Sequence, residues 1–116
     1  MMEFLVLMFV KHYIVDFVMQ TDEMVKGKAI YGNRQGLLHS LQHAVGTLIV
    51  CIFTIVSPVY WIMLSLIDFA AHYHIDWLKV NATRKLTTAD RGFWIWLGFD
   101  QMLHYLTYIL IIGILL

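Results

Sequence analysis

The sequence predicts an all-α fold, an antiparallel up-down-up-down four-helix bundle embedded in a membrane. Three observations predict it. Sixty per cent of the 116 residues are hydrophobic and 14% charged, where soluble domains carry about a quarter charged residues. The apolar residues fall into four runs of about twenty, close to the length that crosses a bilayer as a helix. Lys and Arg, apart from Lys11, lie in or beside two polar connections. The length allows one domain, residues 1–116, with helices expected at about 1–20, 37–57, 59–80 and 90–116.

The first run begins Met-Met-Glu without a basic leader and holds Lys11, His12 and Asp16. It is therefore expected to be a span rather than a signal peptide. Thr21 to Gly36 follows, with five charged residues and three glycines, and is expected to be a solvated connection. Its Thr21-Asp-Glu start could cap a short surface helix. The second run ends at Ser57-Pro58, where proline lacks an amide donor and restricts the residue before it. So short a turn returns the third run beside the second. Tyr60 and Trp61 mark one interface of that third run, and Trp77 and Lys79 the other. In the second connection, Thr87-Thr-Ala-Asp90 has the form of a capping box. The fourth run opens with Trp94 and Trp96 and ends wholly apolar. The positive-inside rule puts both long connections in the cytoplasm, predicting a multi-pass protein of the inner (cytoplasmic) membrane.

Each run carries His or Asp four residues apart: His12/Asp16, His39/His43, Asp68/His72/Asp76 and Asp100/His104. That spacing stacks side chains on one helix face. With the predicted topology all four sets fall in the cytoplasmic half of the membrane. Bundles build metal sites from such inward-facing residues. Imidazole and carboxylate suit zinc first, then iron or manganese. Four intramembrane carboxylates, Asp16, Asp68, Asp76 and Asp100, match the charge of two divalent ions, so one or two are expected. All nine residues are candidate ligands, and Asp68, the deepest on its helix, could instead be a general base.

Taken singly, any such pair reads as an interhelical hydrogen bond; the sorting of all four to one end is what favours metal. His74 points off the face, and Lys11 is expected in an ion pair within the bundle. Lys79 could pair with Asp76 or reach the interface. Gln20, Gln42 and Gln101 could orient ligands. The single cysteine, Cys51, reads as a small apolar side chain, and it excludes an intrachain disulfide and thiolate metal motifs. Zero formal net charge gives no nucleic-acid footprint.

The segments His12-x3-Asp16-Phe-x2-Gln20-Thr-Asp22, His39-x3-His43, Asp68-x3-His72-x3-Asp76-x2-Lys79 and Asp100-Gln-x2-His104 together resemble domain-of-unknown-function family 3307. These are small integral membrane proteins of bacteria and phages. The resemblance covers nearly the whole chain and implies four spans, but no activity. From the residues, three functions compete. One is a metal-dependent hydrolase acting on a lipid or lipid-linked substrate. The others are a metal-ion or proton carrier and a metal-stabilised membrane interaction protein. Membrane lipids are the expected partners, with room for a homo-oligomer.

Overall fold

The computed structural model describes residues 1–54 and 56–116. Every regular element among them is helical. Helix α1 spans Met2–Tyr13 and runs directly into a π turn, Ile14–Val18. A short helix α2, Asp22–Gly27, follows; then come α3 (Arg34–Ile52), α4 (Trp61–Thr83) and α5 (Arg91–Leu115). Helix α3 packs on α4, α4 on α5, and α1 on both α3 and α5, so the long helices form a closed ring of four.

Local chemistry sets the ends. Thr21 Oγ1 accepts from the Met24 amide and starts α2, as its sequence suggested. Asn33 Oδ1 accepts from the Gln35 amide, so α3 begins at Arg34 rather than near residue 37. Helix α3 ends at Ile52, short of the expected 57. Thr54 Oγ1 donates to the Val50 carbonyl, and Trp61 Nε1 donates to Val56 O across the turn. Pro58 opens a single 3₁₀ turn, Pro58–Tyr60, ahead of α4. The Thr87–Asp90 box closes a turn instead of starting a helix. Asp90 Oδ2 accepts from the Thr87 amide at 2.7 Å, and α5 starts one residue later, at Arg91.

The interior has two parts. One end of the bundle is an apolar core of Phe4, Met8, Val50, Cys51, Val56, Leu64, Tyr108 and Ile111. The other end is polar. The buried polar residues include five histidines and four aspartates, along with Lys11 and Lys28. The outside is the reverse: Val6, Phe17, Leu41, Leu66, Ile95 and Ile109 are among many large apolar side chains that lie exposed.

Among the described residues, α5 is the one helix long and apolar enough to cross a membrane by length and composition. The inward polar rows of α3 and α4 dilute their apolar character. The π turn ends α1 as a regular helix at Tyr13.

The first connection is not simply solvated. Its Asn81-bound Ala29 carbonyl (3.0 Å) and the Gly32 amide, which donates to the Tyr73 hydroxyl at 2.5 Å, fasten it to α4. Tyr31 packs edge-on against Tyr73 and Trp77, and its hydroxyl meets His74 Nε2 at 2.9 Å. A Cβ on Gly27 would collide with Asn33 Oδ1 and sit 2.8 Å from Gln35 Cβ, so only glycine lets α2 fold this closely onto the start of α3.

Candidate metal centre

Asp16 is the hub of the polar end. It sits in the π turn, where the Met19 amide reaches back five residues to the Ile14 carbonyl at 2.9 Å. That wide turn moves Asp16 off the regular α-helical register, and such turns recur at functional sites. Its Oδ2 stays 3.2 Å from His12 Nε2. Its Oδ1 faces α3 and α4, with Nε2 of His39, His43 and His72 at 2.9, 2.8 and 3.3 Å.

Three imidazole nitrogens thus converge on one carboxylate oxygen. If all three were N–H donors they would outnumber that oxygen's two lone pairs. The four atoms lie within 4.8 Å of one another, as ligands of a single ion would. Tetrahedral zinc with bonds of about 2.0–2.1 Å separates its ligand atoms by roughly 3.3 Å. The three nitrogen-to-oxygen distances, 2.8 to 3.3 Å, lie at or somewhat below that value. Buried His and Asp side chains here can hold a metal ion.

A second group adjoins the first: His72, Asp76 and His104. His104 Nε2 is 3.1 Å from Asp76 Oδ1, and His72 Nε2 is 3.7 Å from Asp76 Oδ2. The rings of His43, His72 and His104 stack, with centroids 3.3 and 3.9 Å apart and planes 22° from parallel. His72 belongs to both groups, but its Nε2 has one lone pair and serves one ion at a time.

Three predicted ligands stand outside these groups. Asp68 Oδ2 accepts from Lys11 Nζ at 2.7 Å and from Thr47 Oγ1 at 2.5 Å. The ion pair expected of Lys11 therefore takes Asp68, with both donors on Oδ2 and Oδ1 left without a hydrogen-bond partner. His12 has both nitrogens engaged: Nδ1 with the Tyr108 hydroxyl at 2.8 Å, Nε2 with Gln101 Oε1 at 2.9 Å. It holds Asp16 in place rather than joining the group. Asp100 approaches His104 Nε2 at 3.4 Å and accepts from Gln101 Nε2 at 3.1 Å. Of the three glutamines, Gln101 does touch a candidate residue; Gln20 Oε1 instead accepts from Lys28, and Gln42 Oε1 is buried without a hydrogen-bond partner. His74 is exposed, as its spacing implied.

Lys28, Thr47 and Tyr108 were not singled out by sequence. Lys28, not Lys79, is the partner of Asp76, 3.0 Å from Oδ2. Its signal was present: Met24, Gly27 and Lys28, spaced i, i+3, i+4, are the buried face of the connection. Thr47 and Tyr108 each lie four residues beyond a candidate histidine, His43 and His104, and extend the same rows.

No curated protein and no solved structure matches the chain. A family does, over residues 4–116, and its description is protein of unknown function. That match bears out the resemblance carried by the four His/Asp segments, and the chain belongs to the DUF3307 family.

Proposed function

We propose that the chain is a multi-pass membrane protein fastened by one divalent ion near its cytoplasmic face, held by Asp16, His39, His43 and His72. The single observation that carries this reading is the convergence of three Nε2 atoms on Asp16 Oδ1, at 2.8 to 3.3 Å. Zinc is the first choice, then iron or manganese.

The membrane part rests on the inverted distribution of polarity. A water-soluble bundle buries its large apolar side chains; here the interior of one end is imidazole, carboxylate and ammonium, and apolar side chains cover the outside. The longest extent, 43 Å, suits a bilayer of about 40–45 Å including headgroups. Every Lys and Arg except Lys11 lies in or beside the two long connections, which favours the cytoplasm for them.

Formal charge favours one ion over two. Lys11 compensates Asp68 and Lys28 compensates Asp76. Asp16 and Asp100 remain, and one divalent ion cancels both. Binding through His43 Nε2 puts the ring hydrogen on Nδ1. Lys11 must then give up its 3.3 Å contact to His43 Nδ1, keeping the 2.7 Å one to Asp68.

Four protein ligands close a tetrahedral site, which is the pattern of structural zinc. The ion's role is then to tie α1, α3 and α4 together for interactions within the membrane. Lipid or lipid-linked hydrolysis is the second reading. It is favoured by the surplus pair Asp76 and His104, which a purely structural ion does not need. X-ray absorption of the zinc-loaded protein in detergent separates them. Four protein ligands with three imidazoles are expected; a water in place of Asp16 would turn the conclusion to hydrolysis.

A further inference from the structure

We infer that Lys28 stands in for a second metal ion, limiting the chain to one ion and masking a latent cation site formed by Asp76, His104 and Asp100. This rests on the metal reading above and goes beyond it. Asp76 has two faces. Oδ1 meets His104 Nε2 at 3.1 Å, and Oδ2 meets Lys28 Nζ at 3.0 Å, with Nε2 of His39 and His72 farther off at 3.4 and 3.7 Å. The Lys28 contact is a charge contact without hydrogen-bond alignment, since Oδ2 has no hydrogen-bond partner. Asp100 Oδ1, 3.4 Å from the same His104 nitrogen, is also buried and without a hydrogen-bond partner. The carboxylates of Asp76 and Asp100 therefore flank the one imidazole nitrogen of His104, and all three residues are at most 3% exposed. That donor set suits a divalent cation.

What occupies the cationic role instead is a lysine from outside the bundle. Lys28 sits just past α2 in the connection that Asn81 and Tyr73 fasten to α4, and Gln20 Oε1 accepts from its ammonium. Its side chain is 7% exposed, which is unusual for a lysine in a connection. Lys11 does not play the same part. Its aspartate, Asp68, has Thr47 and no imidazole nitrogen among its partners, so no comparable ligand set lies under it.

Removing the Lys28 charge leaves four carboxylates against Lys11 alone. Against the three uncompensated charges one divalent ion leaves one negative charge and two leave one positive, so charge no longer favours a single ion. His72 stays with the first ion, and Asp76, His104 and Asp100 are free to take another.

The test is zinc stoichiometry of the full chain in detergent, loaded with excess zinc, desalted and measured by elemental analysis. Wild type should saturate at one ion per chain and Lys28→Met at two. Lys28→Arg, which keeps the charge, and Lys26→Met, an exposed neighbour, should stay at one. If Lys28→Met does not fold, Lys28→Gln keeps a polar side chain beside Gln20 and should also reach two. Two ions in wild type, or one in both uncharged variants, overturns the role of Lys28. No ion in wild type sinks the metal reading itself, so the two failures are distinguishable.

Discussion

The two ends of the same bundle are held together by different physics. At one end Phe4, Met8, Leu64 and Ile111 fill the space between helices and leave nothing to satisfy. At the other, the same four helices enclose imidazoles, carboxylates and ammonium groups. Apolar packing tolerates small errors of register. Buried charge does not, because each group needs a counter-charge or a hydrogen bond at the right place. The border between them is one network: Thr47 and Lys11 on Asp68, and Tyr108 joining Lys11 to His12. The polar end is over-built for a mere fastening by hydrogen bonds, and that excess is what points to an ion.

Substitutions at the border should cost most. Asp68→Ala strands the Lys11 ammonium in the interior and should destabilise the protein by about 3–5 kcal/mol in detergent unfolding. The double variant Lys11→Met, Asp68→Leu removes both charges and should recover most of that loss, with zinc content unchanged. A double variant as unstable as the single one would show that the border does more than compensate charge.

The apolar end should respond through volume alone. Leu64→Ala, at a fully buried position, should cost about 3 kcal/mol and leave zinc content intact. Loss of metal from this variant would break the separation of the two ends.

A smaller effect is expected where helices α1 and α3 meet. A Cβ on Gly46 would lie 2.6 Å from Lys11 Cγ and 2.9 Å from Cδ. Because Asp68 pins the far end of that lysine, Gly46→Ala should cost about 1–3 kcal/mol rather than being absorbed by the stem. An unfolding midpoint equal to wild type would mean that Lys11 can move freely, against the border as described. Least of all, His74→Ala should change stability by no more than about 0.5 kcal/mol and metal content not at all. It is exposed, and its hydrogen bonds among the described residues go to Tyr31 and to its own helix.

Much of this was legible in the sequence, for a simple reason. A four-residue spacing fixes the face of a helix, so His39/His43, Asp68/His72/Asp76 and Asp100/His104 had to form rows. What spacing cannot say is which atom across the bundle each side chain meets. Asp68 and Asp76 share one row, yet one goes to Lys11 and the other to Lys28 and His104. The π turn was equally hidden, because periodicity carries no mark of a hydrogen bond that skips to the fifth residue. Lys28 was obscured by its surroundings: a stretch rich in charge and glycine reads as solvated, although its i, i+3, i+4 face is buried. The expectation of one or two ions counted the four carboxylates without these lysines, each of which lies against an aspartate.

The most direct test of the central claim is the metal content of purified wild type beside that of His72→Ala. His72 is common to both ligand groups and lies at the centre of the imidazole stack. Wild type should carry one divalent ion per chain. His72→Ala should lose most of it and lose thermal stability with it, since binding is coupled to the folded state. Wild type without metal across independent preparations, and with a melting temperature indifferent to chelator, would contradict the account and leave Asp16 as the hub of a hydrogen-bonded polar core.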